Sequence, residues 1–225
     1  MGAAYQNNVD QLLRPGVLWR ARGESGFQYV QQQGLSTGYA LLDEQLPGGG
    51  WPVGAVSEII CTQEGIGEMQ FLMPALAKLS QQGKWLALVA PPYIPYPLAL
   101  SACGVDISKI LLIRPRKEND ALWTIEQALR AGTCGAVLGW LGDDVTAQQM
   151  RRLQLAAEQG GSVGLFFRSA VSVQQNTNSA LRLQIKRIAG RLSVDILKRR
   201  GRWPLGPVEL DINRPDFEQE NIQYS

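Results

Sequence analysis

The run Cys61–Met69, "CTQEGIGEM", holds the residues closest to a chemical motif. It follows a strand-like stretch, "AVSEII", passes through Gly65 and Gly67 and enters a helical pattern. That is the layout of a phosphate-binding loop, G-x-x-x-x-G-K-[ST]. In such a loop backbone N–H groups cradle phosphates, a lysine meets the terminal phosphates and a hydroxyl ligates magnesium. With Gly67 as the last glycine, Thr62 stands at the first glycine position, Glu68 at the lysine and Met69 at the hydroxyl. The glycines that allow a cradle survive; the cation and the magnesium ligand do not. Two unit charges about 4 Å apart interact by about 4 kcal/mol at an effective dielectric near 20, and exchanging attraction for repulsion doubles the swing. Even a quarter of that, about 2 kcal/mol, weakens binding more than tenfold. A nucleotide hydrolase also needs an acid at the end of a central strand. Here "GAVLGW" ends on Gly139 and Trp140, and Asp143 and Asp144 come later, in a loop or helix cap. No catalytic residue, cofactor or metal is expected, and Gly65 and Gly67 read as a strand-to-helix turn.

The elements that position this turn follow a steady beat. Strands are expected at "AVSEIIC", "KWLALVAPP", "ISKILLIRP", "CGAVLGWLG" and "SVGLFFRS". Helical spacing lies between them, in "EMQFLMPALAKLSQQG", "YPLALSACG", "ENDALWTIEQALRAG" and "TAQQMRRLQLAAEQGG". Pro74 is expected near the first turns of its helix, where a missing N–H is tolerated. Ser36 or Thr37 is expected to cap a short helix carrying Leu41, Leu42 and Leu46. Alternating strands and helices predict an α/β fold with a mostly parallel sheet flanked by helices. After the polar "SAVSVQQNTNS" the period changes to two, and "LRLQIKRI-AG-RLSVDILKRRG" predicts a closing antiparallel hairpin around Ala189-Gly190. The expected organisation is an arm over 1–33, an α/β domain over 34–212 and a polar, frayed tail over 213–225.

Composition narrows the function. The chain has 225 residues, 45% hydrophobic and 19% charged, with a net charge of +2, so it is neither a strong polyanion binder nor an acidic tail protein. Histidine is absent, which removes the commonest general base and excludes a His-based triad or zinc site. Cys61, Cys103 and Cys134 lack metal spacing and read as buried free thiols of a reducing compartment. No apolar run is long enough to span a membrane, and "MGAAYQNNVDQLLRPG" lacks the features of a signal peptide. A cytoplasmic location without membrane contact is expected.

Basic residues collect near the hairpin: Arg182, Lys186, Arg187, Arg191, Lys198, Arg199, Arg200 and Arg202, opposed only by Asp195. Some share a face, which suits nucleic acid, an acidic protein or a solvated sheet edge that discourages pairing. Trp203 could stack on a base. Arg114, Arg116 and Lys117 follow the strand "ILLI", at a carboxyl end where α/β proteins place ligands. "PPYIPYP" holds Tyr93 and Tyr96 in a proline-stiffened loop, either as a protein contact or packed locally on Trp140 or its neighbours.

The segment 35–60, "LSTGYALLDEQLPGGGWPVGAVSEII", resembles the entry to the core of the recombinase RecA. The phrases "GIGEMQFLMPALAKLSQQGKWLALVAPPYIPYP", "DALWTIEQALRAGTCGAVLGW", "RRLQLAAEQGG" and "ILKRRG" resemble the RecA-like ImuA family of translesion-synthesis accessory proteins. The strand W-L-x-L-x-A-P-P is also shared with the SulA group of cell-division inhibitors. The ImuA resemblance implies a RecA-like core and a non-catalytic role in SOS mutagenesis. Its implied partners are an ImuB-type Y-family-like protein, RecA and, weakly, DNA at the basic hairpin. By analogy with the recombinase's subunit-joining arm, Val17, Leu18 and Trp19 become docking candidates. The SulA resemblance implies the alternative, an SOS cell-division inhibitor that binds FtsZ.

Overall fold

Alternating apolar strands and amphipathic helices produce a single sheet with helices on both faces. The computed structural model describes residues 34–63, 65–115, 118–199, 206–213 and 215, with backbone only at 118 and 119. The candidates Val17, Leu18, Trp19, Arg116, Lys117, Arg200, Arg202 and Trp203 therefore lie outside the described residues. The strands are β1 (Ala55–Cys61), β2 (Trp85–Val89), β3 (Ile110–Ile113), β4 (Cys134–Trp140), β5 (Val163–Ser169), β6 (Leu181–Ile188), β7 (Arg191–Arg199) and β8 (Val208–Leu210). They form one eight-stranded sheet in the order β3-β2-β4-β5-β1-β6-β7-β8. Pairing is parallel from β3 through β6 and antiparallel at β6–β7 and β7–β8.

The helices are α1 (Ala40–Asp43), α2 (Glu68–Gln81), α3 (Pro97–Ala102), α4 (Glu118–Arg130) and α5 (Ala147–Gly160). Leu42, Phe71, Leu72, Leu76 and Leu100, from α1, α2 and α3, share a core with Ile59, Leu88, Leu138 and Leu165 of one sheet face. Ile125, Leu129, Met150 and Leu153, from α4 and α5, pack with Val56, Ala87, Val137 and Phe166 of the other. Alternate residues of a strand point to opposite faces, so a near-continuous apolar run is what two covered faces require. None of the described helices is long and apolar enough to cross a membrane.

Several local expectations change. Pro74 lies in the interior of α2, fully packed, and its missing N–H leaves the Gln70 carbonyl without that intrahelical partner. Ser36 and Thr37 do not cap α1 at its start; Tyr39 stands there. Their hydroxyls instead donate to the Asp43 carboxylate, at 2.6 and 2.7 Å, tying the entry segment to the helix end. Cys103 is exposed, whereas Cys134 is buried and Cys61 intermediate; burial pushes the Cys134 thiol up. β8, which the alternation pattern was too short to announce, extends the closing hairpin to three antiparallel strands.

The mostly parallel sheet and closing hairpin are present, but the RecA-like core is not supported. The sheet is mixed, and three of its eight strands follow the polar loop. The resemblance rested on the entry phrase 35–60 and on strand, turn and helix phrases running through the core to the closing hairpin. Such units are shared by many parallel sheets and do not by themselves fix a core.

Candidate functional site

The turn after β1 shows how the missing lysine is accommodated. Gly65 and Gly67 take left-handed conformations, φ 73° and 98°, which aim their N–H groups into the start of α2. Glu68 folds back over them. Its Oε1 accepts the Gly65 N–H at 3.2 Å and its Oε2 accepts the Gly67 N–H at 3.1 Å. The positive end of a helix favours an anion, and here the chain's own carboxylate takes that place. The C-terminal segment then covers the turn. A Cβ at Gly67 would lie 2.5 Å from Ile212 Cδ1 and 3.3 Å from Arg187 Nη1. Gln70 Nε2 donates to Asn213 Oδ1 at 3.0 Å, and Arg187 Nη1 donates to the Ile66 carbonyl at 3.4 Å. Met69 packs partly buried against the core. Thr62 is exposed.

A buried ionic cluster lies on the α4/α5 face, and of its members the sequence reading had named Arg182 and Asp143, in other roles. Glu58 of β1, Arg168 of β5 and Arg182 of β6 are all buried. Arg168 Nη1 and Arg182 Nη2 stand 3.7 and 3.6 Å from Glu58 Oε2. Glu58 Oε1 accepts from the hydroxyls of Thr177 and Ser179. Burial lowers the Arg168 pKa, and the Glu58 charge opposes that shift. Both guanidiniums also fasten the segment after β5. Arg182 donates to the carbonyls of Ser172 at 2.5 Å and Gln175 at 2.9 Å, and Arg168 donates to the Gln175 side chain at 2.6 Å. Asp143 joins them, accepting from Ser169 Oγ at 2.6 Å. The sequence signal was a glutamate in the middle of an otherwise core-like strand.

The basic cluster does not form one face. Arg182 and Arg199 are buried, and Arg199 donates to the Gln45 carbonyl. Lys198 is half-buried and donates to the Thr177 carbonyl at 2.8 Å. Among its described members, Lys186, Arg187 and Arg191 stand exposed, around the hairpin tip with Ile188. Arg114 is exposed, and Asp144 sits in a solvated turn beside Asp143. Among the described residues no group of His, Cys, Asp and Glu could hold a metal.

Apolar exposure concentrates at the opposite end of the sheet. β3 is the edge strand, and Leu111 and Leu112, on its two faces, are 40% and 41% exposed. The loop leaving β2 carries Tyr93 and Tyr96, 71% and 65% exposed, with Ile94 and Leu98 also open. The loop starts where Ala90 N–H meets the Ile113 carbonyl at 2.9 Å, so the two exposures adjoin. The ring of Trp140 stacks on Phe167 at 4.9 Å. Elsewhere, a groove of about 320 Å³ between α4 and α5 has Glu126 in its wall, already paired with Arg130 at 2.7 Å and Arg152 at 2.5 Å.

Known proteins supply the family. The family model for the cell division inhibitor SulA matches residues 54–164. The SulA of Edwardsiella piscicida is 38% identical over 117 residues, 50% of this chain and 66% of the relative. The SulA of Klebsiella aerogenes is 32% identical over 123 residues, 54% of this chain and 73% of the relative. The crystal structure of SulA from Pseudomonas aeruginosa is 30% identical, with a TM-score of 0.44, covering 53% of this chain and 100% of that one. The family model and the two relatives name SulA, and they overturn the ImuA identity and the role in translesion synthesis. ImuB, RecA and DNA lose their support as partners with them. The phrases that carried the ImuA resemblance fall largely within residues 54–164. Many of their residues, such as Leu86–Val89 and Ala136–Leu138, are fully buried. Buried patterns of this kind report packing, which related families share, rather than the function of one branch. With the Klebsiella relative above 30% identity over most of its length, the chain belongs to the SulA family of cell division inhibitors.

Proposed function

We propose that the chain is a non-enzymatic SOS inhibitor of cell division that acts in the cytoplasm by docking on the division GTPase FtsZ. The docking surface is the open end of the sheet, formed by β3 and the loop carrying Tyr93 and Tyr96. One observation carries this reading: the segment matching SulA, 54–164, contains that whole surface, whereas the basic hairpin and the arm lie outside it. Tyrosine and apolar side chains grouped on an exposed surface are typical of protein contacts, because their rigid bodies bury large areas at low entropic cost.

The turn at Gly65–Gly67 supports the non-enzymatic part. A phosphate would need the N–H groups that the Glu68 carboxylate already accepts, and would meet that carboxylate's charge. Ile212 and Arg187 also crowd the same turn. Mg-ATP at millimolar concentration should leave the melting temperature unchanged, since a ligand that does not bind the native state shifts nothing.

The test is sedimentation of FtsZ polymers with GTP in the presence of the purified chain. The expected result is loss of polymer as the chain approaches equimolar amounts, and recovery of polymer with Tyr96→Ala. Undiminished polymer at excess of the unaltered chain would overturn the reading.

A further inference from the structure

We infer that Ala90 is the residue that aims the tyrosine loop, so that FtsZ meets Tyr93, Ile94 and Tyr96 as a preformed convex surface rather than as a segment that orders on contact. This rests on the reading of that loop as part of the docking surface. The first support is backbone conformation. Among the described residues, Ala90 and Ala189 are the non-glycine residues with positive φ, 53° and 47°. Ala189 has a local reason, because its two-residue turn with Gly190 requires that hand at both positions. Ala90 has none. It directly follows β2 and precedes Pro91, and a residue before proline is steered toward extended backbone. In the left-handed region the alanine Cβ also crowds the following carbonyl oxygen. A residue held in this way persists only where its surroundings over-determine it, and such residues cluster at ligand clamps and switch regions.

The second support is what holds it. The Ala90 N–H donates to the Ile113 carbonyl at 2.9 Å, just past the Val89–Ile113 register pair. Its methyl packs against the α4/α5 core. Pro91, next in the chain, is buried. These three restraints fix the direction in which the loop leaves the sheet. The far end is fixed as well. Leu100 of α3 is buried, and the Tyr96 carbonyl accepts the Ala99 and Leu100 N–H groups at 3.1 and 3.2 Å. Between these anchors Pro92, Tyr93, Ile94, Tyr96, Pro97 and Leu98 are exposed. Pro92, Pro95 and Pro97 each lock φ.

A loop pinned at both ends and stiffened by proline loses little freedom when a partner covers it, so most of its ordering cost falls on folding rather than on association. Each tyrosine presents a flat apolar ring with a polar tip. A surface of this shape fits a cleft on FtsZ with an apolar floor for Ile94 and hydrogen-bonding groups at its rim for the phenols. Ala90 is therefore a positioning residue, acting on the partner through Tyr93 and Tyr96.

The test compares the two left-handed alanines. Ala90→Gly accepts positive φ, and Ala90→Val refuses it, because a β-branched residue is an outlier there. Ala189→Val imposes the same refusal at the hairpin turn, outside the segment matched to SulA. FtsZ binding should fall at least about tenfold with Ala90→Val, since only a fraction of that variant carries the loop in the binding direction, and about threefold or less with Ala90→Gly. Ala189→Val should bind within about twofold of the unaltered chain, even where its melting temperature falls as far. Ala90→Val binding like the unaltered chain, equal losses with Gly and Val at position 90, or equal losses with Val at 90 and 189 would each overturn the aiming role and leave the proposed function standing. A second measurement needs no FtsZ. Limited chymotrypsin digestion should cut after Tyr93 at least about tenfold faster in Ala90→Val than in the unaltered chain, with cleavage after the buried Phe71 unchanged. Cleavage after Tyr93 at the unaltered rate would overturn the inference whatever FtsZ does. Cleavage rising equally after Phe71 would mean that residue 90 serves the fold at large, and would overturn it too.

Discussion

The two edges of the sheet are built on opposite rules. At β8, Val208 and Leu210 are buried and Glu209 between them points to solvent; Pro207 precedes the strand and Asp211 follows it. A charge and a proline are what natural edges use to refuse another strand. β3 is flanked by Lys109, Arg114 and Pro115 but carries no charge within Ile110–Ile113, where β8 has Glu209, and it leaves Leu111 and Leu112 half open. The bare edge lies inside the segment matched to SulA, and the guarded one lies beyond it. The difference teaches that, among the described residues, the antiparallel strands end the sheet on a charged edge while β3 ends it on an apolar one.

The largest expected effect tests whether the finished side is integral. Glu58 on β1 meets Arg182 on β6, the first strand of the closing unit, and Arg168 on β5. Glu58→Ala leaves two buried guanidiniums without their countercharge, and should cost about 3–5 kcal/mol in urea unfolding. A loss below about 1 kcal/mol would mean that the ladder and apolar core alone join β6 to β1. The next effect is local. Ile212, just past β8, packs against Gly67 at the start of α2. Ile212→Ala should cost about 2–4 kcal/mol. Hydrogen exchange should accelerate in Val208–Leu210 more than in Ile110–Ile113; equal acceleration would show that the guarded edge is not latched there. A smaller stability effect but a clear binding effect is expected from giving β3 the device that β8 owns. Leu111→Lys should change unfolding by about 0.5 kcal/mol or less and weaken FtsZ binding. Unchanged binding would remove the functional meaning of the contrast.

The sequence revealed the local units and concealed their arrangement. The strand starts and ends were readable because both sheet faces are covered, which makes "WLALV" and "VGLFF" continuous apolar runs between glycine and proline stops. The hairpin was readable because Ala189 and Gly190 both take positive φ, 47° and 84°, as a two-residue turn requires. β8 is only three residues long, too short for alternation to register. The strand order was unreadable for a deeper reason. "ILLI" at the edge and "WLALV" inside have the same composition, and lateral position is a property of the whole sheet. Glu68 at the lysine position of the loop pattern was legible, but not its return onto its own helix start. The basic residues looked like one surface, because spacing does not reveal that Arg182 turns under the 170–179 segment or that Arg199 reaches Gln45. The exposure of Tyr93 and Tyr96 agrees with a contact role, which remains a proposal.

The smallest effect concerns how the bare edge is started. Asp106 caps the 3-10 turn Ile107–Lys109 that feeds β3, accepting from the Ser108 N–H at 2.9 Å and its hydroxyl at 2.7 Å. The Ser108 hydroxyl bond, then the backbone bond, hold its pKa below the usual aspartate value; Lys109 adds a little in the same direction, and slight desolvation opposes it. A carboxyl whose pKa is lower in the folded state stabilises the fold above its unfolded pKa, and that contribution is lost as pH falls through the folded value. The window is therefore below about pH 4, under the ordinary aspartate range. Asp106→Asn keeps an acceptor oxygen but not the charge. Its urea midpoint should lie slightly below that of the unaltered chain at neutral pH, with the gap closing in acid. Because this carboxyl lies near the surface, salt should narrow the gap as well. A gap that persists unchanged in acid would mean that the turn is held by the shape of the acceptor and not by its charge.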